Sequence, residues 1–566
     1  MDRNTEAFFA GSQLKEIPRS TFTRRFKHTT TLNAGVLVPF YCDLDILPGM
    51  TISQNTSLVA RMNTPLNPTM DNCYIDTYYF RVELPQIWDH WNAFNGENET
   101  GAWTQTVVYN IPKFKTDSTH KAGIHDAITY MGAARYNSVC QPFSKFGVRA
   151  YIRIWNYFFR SEALQAPITM YKTDGDTTLD GTIITGQGLL PVNKFFDYFT
   201  SCLPQPQKQT AVVSPIGVSA PVSVFGYAPS GITSTKQTQF ITTLSDGTTL
   251  KDAVIAYGDS NIGLTTGVGG TGNNISQATT GLPMDNSRVL GLHPNQNYGA
   301  SGIVGIADLS NAVAATINAQ RIAWATQRIY EADATFGTRY WQETVQRFGV
   351  ETDAGRHLIP SYLGGKRTPI NIDTVLQNSE SSNTTPLGTT GAFSVTADTN
   401  QDFTTSFDAH CVLMGLICVR TDHTYQQGQE RQWTRTERLD FYQPEFAHIG
   451  NQPVYNYEIF TDGSSNDTGV FGYKEAWAEY KYKPNRLSGM MLSDYAQSLD
   501  TWTYADDYAT CPVLSDQWLR ETYVNIDRTL AVPSSTADQF TVDIYIEQEV
   551  RSPMPLHCYP GLVDHF

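Results

Sequence analysis

Alternating apolar and polar positions predict β-strands in several widely separated parts of the chain. From Phe540 to Glu547 the two kinds of residue alternate strictly, which is typical of a strand with one face in the core and one in water. Tyr74 to Val82 is an aromatic, β-favouring run, and Cys411 to Val419 is apolar apart from Gly415, as expected for a strand buried on both faces. Because hundreds of residues separate these strands, long excursions must lie between elements of one sheet system.

Two segments instead show helical features. From Val148 to Leu164 the apolar residues recur at the spacing of one helical face. The opposite side carries a stripe of basic and amide residues: Arg149, Arg153, Asn156 and Arg160. From Asn311 to Phe336 there is neither Gly nor Pro, and Gly337 follows as a natural terminator. No strand–helix alternation of the doubly wound kind is present, so we predict a mainly β protein with a few helices.

Between the two helices the composition changes. Residues 211–300 contain 13 glycines, many Ser and Thr, no Trp or Cys, and seven charged residues. A proline-punctuated entry, Leu203-Pro204-Gln205-Pro206, precedes them, and three short apolar runs favour strands: Ala211 to Val213, Pro221 to Phe225 and Ala253 to Tyr257. We predict that residues 206–304 project from a main body formed by residues 29–205 and 305–566; a flexible loop is the alternative. Its candidate aromatic anchors for contact with a binding partner are Tyr227, Tyr257 and Tyr298.

Charge limits which partners the chain can have. The formal net charge is −15 and only 17% of residues are charged, so the surface as a whole is not built to grip nucleic acid. Residues 1–28 nevertheless hold six Lys or Arg against three acids, and we interpret them as a basic, extended arm. A single strand of nucleic acid is held by cations together with aromatic side chains. Three places offer that chemistry: Arg24, Arg25 and Lys27; Arg149, Arg153 and Arg160; and Arg431, Trp433 and Arg435, which strand alternation would place on one side. Each set has a plainer explanation, because an arginine stripe is more often solvated or paired with a neighbouring subunit.

Apparent catalytic motifs are weak throughout. Gly267, Gly269 and Gly272 form a GxGxxG, but the motif lies inside the glycine-rich insertion without the strand and helix that a dinucleotide site needs. Asp422-His423 has no second histidine at ligand spacing, and a structural histidine at a strand end is the better interpretation. Glu97 and Glu99, near Trp103, are most simply solvated carboxylates. We therefore predict no catalytic residue, metal or cofactor.

The remaining sequence signals indicate an intracellular origin. The eight cysteines form no CxxC pair and show no zinc spacing: Cys42, Cys73, Cys140, Cys202, Cys411, Cys418, Cys511 and Cys558. Such dispersed cysteines are usually buried thiols in a reducing compartment. The amino terminus does not have the pattern of a signal peptide, and no run of eighteen apolar residues occurs. We expect synthesis in a cytoplasm and no membrane span.

Several segments, in order along the chain, resemble one family. They are residues 37–50 (LVPFYCDLDILPGM), 70–97 (MDNCYIDTYYFRVELPQIWDHWNAFNGE), 197–208 (DYFTSCLPQPQK), 336–340 (FGTRY), 362–371 (YLGGKRTPIN), 424–429 (TYQQGQ), 446–450 (FAHIG), 470–484 (VFGYKEAWAEYKYKP) and 560–566 (PGLVDHF). Together these segments are similar to the major capsid proteins of Microviridae, in particular the gokushovirus branch. The insertion is where the chain departs most from that family.

This resemblance implies a fold, an assembly and a set of partners. The fold is an eight-stranded antiparallel jelly roll with long inserted loops, and sixty copies form a T=1 icosahedral shell around circular single-stranded DNA. The glycine-rich insertion corresponds to a protrusion at the threefold axes and is expected to contact a host cell-surface receptor. The other implied partners are an internal scaffolding protein, a small basic DNA-binding protein and a pilot protein. The expected locations are the virion and, during assembly, the host bacterial cytoplasm.

Two other functions fit parts of the pattern. A β-sandwich carbohydrate-active enzyme is compatible with the scattered strands, because such folds host many activities. An adhesin or fibre protein is compatible with the Gly/Ser/Thr-rich insertion. A fibre usually contains internal repeats, and the sequence has none that we detect.

Overall fold

The structure is a computed structural model, and it divides into two compact units. It describes residues 17–97, 107–117, 119–134, 137, 139–178, 188–210, 212, 317–350, 358–379 and 386–557, together with the backbone of seven strands between residues 222 and 307. The first unit comprises Met1–Gln209 and Tyr330–Phe566, and the second comprises Thr210–Ile329. Each unit is described by itself below.

Eight strands of 9 to 13 residues dominate the first unit, and we number these eight. They are β1 (Ser20–Leu32), β2 (Val36–Ile46), β3 (Thr51–Met62), β4 (Cys73–Glu83), β5 (Ser361–Pro369), β6 (Thr396–Ser406), β7 (Cys411–Thr421) and β8 (Phe540–Ser552). One antiparallel sheet has the order β1-β8-β3-β6, and the other has the order β5-β4-β7-β2, with Leu190–Pro191 beyond β2. Among the described residues, no strand joins the two sheets into a closed barrel.

The hydrophobic pattern explains how these strands pack. In β8 every second side chain is buried, including Val542, Ile544 and Ile546, so the predicted half-buried strand is confirmed. Strand β7 is buried from Cys411 to Val419, as predicted, because its two faces contribute to different cores. Leu413 and Ile417 join the core between the two sheets. The side chains on the other face of β7 join a second core, to which the helix Lys145–Ile154 also contributes. They are Val412, Met414, Leu416 and Cys418.

Gly415 interrupts the apolar run of β7 for a steric reason. A Cβ atom at this position would come within 2.8 Å of the Phe40 ring, 2.9 Å of the Tyr79 ring and 3.0 Å of the Tyr41 Cβ. Real Cβ atoms essentially never approach other heavy atoms so closely, because interiors are already close-packed. The aromatic side chains of β2 and β4 therefore occupy the space that a larger residue would need.

Three helices are longer: α1 (Lys145–Ile154) and α3 (Tyr340–Phe348) belong to the first unit, and α2 (Ile317–Phe336) begins in the second unit and ends in the first, which resumes at Tyr330. A single π-helical turn, Trp155–Phe159, continues α1. The helix predicted to reach Leu164 thus ends earlier, since Arg160 is extended and its N–H donates to the Trp155 carbonyl. The predicted end of α2 is confirmed, because Gly337 adopts a φ of +90° that favours glycine.

Shorter elements lie between these. Four-residue helices span Leu84–Ile87, Trp91–Phe94, Ala127–Tyr130, Asn456–Ile459, Ala478–Lys481, Asp516–Leu519 and Val524–Asp527. Short 3₁₀ helices span Arg431–Trp433, Arg438–Asp440, Pro444–Phe446, Ser465–Thr468, Gly489–Met491 and Asp500–Trp502. Short strands span Lys113–Lys115, Phe143–Ser144, Thr177–Thr178, Ile372–Leu376, Thr390–Ser394, Asn451–Tyr455 and Val470–Glu475. None of the described helices is long and apolar enough to cross a membrane.

The second unit contains antiparallel sheets of its own. Five strands pair in the order Asn273–Asn274, Asn261–Thr266, Thr249–Gly258, Gln237–Leu244 and Arg288–Leu292, and Val222–Gly226 pairs with Ile303–Ala307. Two of the predicted apolar runs therefore lie in strands, whereas Ala211 and Val213 lie outside the described residues. Tyr257 is in register with Ile262 of the neighbouring strand, while Tyr227, Tyr298 and the GxGxxG glycines lie outside the described residues.

The end of the expected basic arm is part of the sheet. Ser20–His28 belongs to β1 and pairs along its whole length with β8. Phe22 and Phe26 pack against the core between the sheets, and Arg24 lies on the same face, whereas Thr23, Arg25 and Lys27 lie on the outer face. An extended, basic and aromatic segment looks the same in sequence whether it is an arm or an edge strand. Residues 1–16 lie outside the described part of the chain.

Candidate nucleic-acid interface

A groove beside α1 collects cationic and aromatic side chains from three parts of the first unit. It has a volume of about 630 Å³. The side chains that carry its chemistry are Arg153, Tyr157, Arg160, Tyr171, Lys172 and Arg339. The π-helical turn Trp155–Phe159 contributes Tyr157 to this wall, and such turns occur frequently at functional sites because they displace side chains from the regular helical pattern.

Two arginines of the groove contact only neutral groups. Arg153 donates from Nη2 to the Leu358 carbonyl at 2.7 Å and lies 4.7 Å from the centre of the Tyr157 ring. Arg160 donates from Nη1 to the Gln165 carbonyl at 2.7 Å. Among the described residues, no carboxylate lies within ion-pair distance of either guanidinium group. Backbone carbonyls orient both groups while leaving their positive charges uncompensated.

Arg339 closes the groove from the other side of Tyr157. Its guanidinium carbon lies 4.9 Å from the ring centre, so two arginines flank one tyrosine ring. Glu162 forms an ion pair with Arg339, and burial lowers the pKa of the Arg339 guanidinium more than Glu162 raises it. Lys172 pairs with Asp89 at 2.5 Å. Four cations therefore face two carboxylates, which leaves a local charge of +2 in a chain whose net charge is −15.

Arg149, which the sequence places in the same stripe, has a different role. It is only 3% exposed, and it donates to the Ile87 carbonyl at 3.2 Å and the Thr173 carbonyl at 2.6 Å. Burial lowers its pKa to about 10. Arg149 thus ties two segments to the middle of α1, and they cover it, whereas Arg153 and Arg160 lie about one and three turns further along.

The predicted strand at Arg431, Trp433 and Arg435 is wrong. Arg431–Trp433 is a 3₁₀ helix, and both arginines turn towards acids, of which Glu458 is buried and Glu479 is partly buried. Arg431 pairs with Glu458 at 2.8 Å, and Arg435 pairs with Glu479 at 3.1 Å. The neighbouring Trp433 is 67% exposed. The carboxylates were not visible as partners in sequence because they lie 27 and 44 residues further along the chain.

The three basic residues of β1 are also paired with carboxylates. Arg24 contacts Asp43 at 2.9 Å, Arg25 contacts Glu547 at 2.7 Å, and Lys27 contacts Asp543 at 3.3 Å. The register between β1 and β8 explains the last two pairs, because cross-strand neighbours on one face lie close together. These residues remain candidates for DNA contact, but each already has an acidic neighbour.

Sequence reasoning missed three members of the groove: Tyr171, Lys172 and Arg339. Arg339 lies in the FGTRY segment, 179 residues after Arg160, and no spacing rule connects the two. The interleaving of Tyr171 and Lys172 was the available local signal. Tertiary folding alone brings these residues to Arg153 and Arg160.

His423 is a structural residue, as the sequence favoured. Its Nδ1 contacts Asp506 at 2.8 Å and its Nε2 contacts Glu521 at 3.0 Å, and all three side chains are buried. Lys194 adds a second cation, 3.4 Å from Asp506. Burial lowers the pKa of His423, but Glu521 and Asp506 outweigh it and raise the pKa to about 10. The imidazolium therefore bridges two carboxylates that lie 83 and 98 residues further along the chain.

The other suspected catalytic groups gain no support from their surroundings. Asp422 accepts hydrogen bonds from Asn72 and Tyr74, and Glu97 is exposed. Glu99 and Trp103 lie outside the described residues. In the described part of the chain, no cluster of His, Cys, Asp and Glu has the arrangement of a metal site, and the seven described cysteines are free thiols.

The first unit thus combines two antiparallel sheets, long excursions between their strands and a cationic groove. The chain belongs to the family described as "Capsid protein (F protein)", whose model matches residues 11–562. It is 34% identical to capsid protein VP1 of Chlamydia phage 1 over 593 aligned positions, which cover 96% of each chain. It is 33% identical to capsid protein VP1 of Spiroplasma virus 4 over 569 positions, again covering 96% of each. Capsid protein VP1 of Bdellovibrio phage phiMH2K is 32% identical over 574 positions, covering 100% of this chain and 99% of the relative. The predicted resemblance is confirmed: the chain is a major capsid protein of a phage virion, not an enzyme.

Proposed function

We propose that sixty copies of this chain assemble into a T=1 icosahedral shell around circular single-stranded DNA. The strand pairing supports the jelly roll on which such a shell is built. With the eight long strands numbered in chain order, β1 pairs with β8, β2 with β7, β3 with β6, and β4 with β5. Each pair of numbers sums to nine, as in a long antiparallel hairpin rolled up into two sheets. This pairing is the observation that carries the proposal.

The long connections provide the contact surfaces that a closed shell needs. Residues 84–360 separate β4 from β5, and residues 422–539 separate β7 from β8. Fivefold and threefold contacts are heterologous, so each subunit must present different surfaces to its neighbours. Cryo-electron microscopy of purified particles tests the assembly: sixty chains in equivalent positions are expected. A different copy number, or a fold in which the four pairs do not form one sandwich, contradicts the proposal.

The groove around Tyr157 is the proposed contact with packaged DNA. The guanidinium groups of Arg153 and Arg160, which have no carboxylate partner among the described residues, attract negatively charged phosphates. Nucleobases stack on aromatic rings such as that of Tyr171. Phosphate oxygens compete well for these arginines because charge-assisted hydrogen bonds are stronger than bonds to neutral carbonyls. The basic residues of β1 are secondary candidates. A small basic DNA-binding protein, an internal scaffolding protein and a pilot protein are the proposed viral partners, and assembly is placed in the host cytoplasm.

The insertion, residues 206–304, is proposed to form an outward protrusion that makes the first contact with a host receptor. Loops presented on a rigid scaffold commonly carry recognition, and a connection this long is uncommon unless it is functional or disordered. Its polar and nearly uncharged composition suits contacts through hydroxyl and amide groups, with Tyr227, Tyr257 and Tyr298 as aromatic anchors. The alternative is that it only stabilises a threefold contact.

Replacing residues 225–290 with a short linker separates these two roles. Assembled particles that no longer adsorb to host cells are the expected result. Normal adsorption of the trimmed particles removes the receptor role. A complete loss of particles, with the subunit still folded, favours the stabilising role instead.

A further inference from the structure

Helix α2 exposes a regular apolar seam in the isolated chain. None of its described residues is buried, although the helix is 20 residues long. Ile322, Ile329 and Phe336 recur every seven residues and are 59%, 42% and 60% exposed. Ala325 and Ala332 follow the two isoleucines by three positions. These five residues, which we name the α2 seam, have the a and d spacing of a heptad repeat.

A heptad seam has a preferred partner, which is another helix. Apolar residues at a and d positions lie on one face and insert between the side chains of a facing helix. Alanines at the d positions let two backbones approach closely while the isoleucines and the phenylalanine fill the space beside them. An exposed stripe of this length is unusual for an isolated soluble chain and indicates an interaction surface. Trp324, although 77% exposed, lies on the opposite side of the helix and does not belong to the seam.

The charges beside the seam distinguish the two possible orientations of that helix. With Ile322 at position a, Arg321 and Arg328 occupy g positions, and Thr326 and Asp333 occupy e positions. Between parallel helices, the g residue of one heptad faces the e residue of the partner's next heptad, so Arg328 meets Asp333 of an identical helix. Between antiparallel copies, g faces g and the arginines oppose each other. Charge complementarity therefore favours a parallel pair of identical helices.

We propose that the α2 seam binds the α2 seam of a second copy of this chain, with the helices parallel about a common rotation axis. The proposal rests on the proposed self-assembly and adds the surface through which copies meet. Rotation about an axis parallel to the helices keeps the helices of all copies parallel, whereas a twofold axis perpendicular to them makes them antiparallel. The seam thus belongs at a cyclic contact.

The internal contacts of Asp333 are compatible with this pairing. Arg347 contacts Asp333 at 2.6 Å and also contacts Glu343 at 2.8 Å. Arg347 therefore keeps a carboxylate partner when Asp333 also accepts from Arg328 of the neighbouring copy. A carboxylate has two oxygens and accommodates two guanidinium donors at once.

Disulfide trapping in purified particles tests the seam. In Ala325→Cys particles, symmetry-related d positions come within disulfide range, and mild oxidation is expected to convert most of the chain to a covalent dimer. Gln320→Cys is the matched control, since Gln320 is exposed on the outward side of the same helix and its cysteine is expected to stay monomeric. No dimer in Ala325→Cys particles, or equal dimer in both variants, overturns the proposal. Because the particles exist in that case, shell assembly itself stands.

A charge reversal tests whether the two α2 helices are parallel. It also tests the seam if Ala325→Cys chains do not assemble into particles. Arg328→Glu places two negative groups together at the parallel contact and is expected to lower the temperature at which particles dissociate. Arg321→Glu changes the same residue type one heptad earlier, where the facing residue is Thr326, and is expected to have a much smaller effect. Equal dissociation temperatures for both variants and the unchanged chain overturn the parallel seam. Failure of the unchanged chain to form any particle contradicts the proposed function instead.

Discussion

Two arginine clusters of the first unit look alike in sequence and differ in what holds them. Arg431 and Arg435 pair with the carboxylates of Glu458 and Glu479. Arg153 and Arg160 bond to backbone carbonyls. The first cluster is neutralised inside the subunit, and the second keeps its charge.

The difference separates a stabilising role from a binding role. Removing one partner of a buried arginine–carboxylate pair destabilises the fold, because the remaining charge is left without a partner in surroundings that solvate it poorly. Backbone carbonyls orient an arginine without neutralising its positive charge. A phosphate that binds there supplies the negative charge that does so. Aromatic contacts do not distinguish the clusters, since Arg431 lies 5.3 Å from the Tyr455 ring and Arg153 lies 4.7 Å from the Tyr157 ring. The two clusters differ in the acceptor of the arginine, which is a carboxylate in the first and a backbone carbonyl in the second.

Breaking the neutralised cluster is expected to have the largest effect. Arg431→Ala leaves the Glu458 carboxylate, whose side chain is 3% exposed, without its cation. Loss of one partner of a buried pair costs about 3–5 kcal/mol of unfolding free energy. Urea unfolding of dissociated subunits measures it, with Arg153→Ala as the matched control. Equal losses for both variants contradict the distinction between the clusters.

The His423 group tests the same principle through pH. Its folded pKa of about 10 lies above the ordinary 6.5, so its stabilisation is complete below pH 6.5 and disappears as the pH rises towards 10. The pKa of Asp506 is held below its ordinary 3.8 by His423 and Lys194, despite burial, so its contribution is lost as the pH falls below that value.

Stability of the dissociated subunit is therefore expected to be greatest between about pH 4 and 6.5 with respect to these two groups. Thermal unfolding at a series of pH values measures the profile. His423→Gln is expected to remove the decline between pH 6.5 and 10 that belongs to the histidine. An unchanged alkaline slope in that variant contradicts the assignment.

Neutralising the charged cluster is expected to change DNA retention and not folding. The double variant Arg153→Gln, Arg160→Gln keeps hydrogen-bond donors for the two carbonyls and removes both charges. Particles are expected to release DNA at lower salt, and the dependence on log salt is expected to fall by about one for each phosphate that an arginine no longer neutralises. Arg431→Gln is the comparison variant. Unchanged release removes the groove from the proposed DNA interface.

The smallest effect is expected at the exposed pairs of β1. Lys27 and Asp543 are both largely exposed, and water screens their attraction. Lys27→Gln is expected to leave the unfolding midpoint of the subunit unchanged, and the same measurement on Lys145→Gln, whose side chain is buried, serves as the contrast. A clear loss of stability in Lys27→Gln shows that the exposed pairs of β1 are more than solvated neighbours.

The sequence by itself determined the mainly β character, the strands β4, β7 and β8, the end of α2 and the capsid family. These features depend on local periodicity or on runs of residues that can be compared directly, and both are written along the chain. It also indicated that His423 is structural, because no second ligand was present at a suitable spacing.

Only the tertiary structure decided which arginines are available. Arg149, Arg153 and Arg160 form one stripe on a helical projection, yet segments distant in sequence cover the first and leave the other two beside a groove. Glu458 and Glu479 neutralise Arg431 and Arg435 from positions that no periodicity connects to them. Burial and charge compensation are properties of the neighbours in space. The sequence shows which residues are cationic, and the fold determines which of their charges have no carboxylate partner within the subunit.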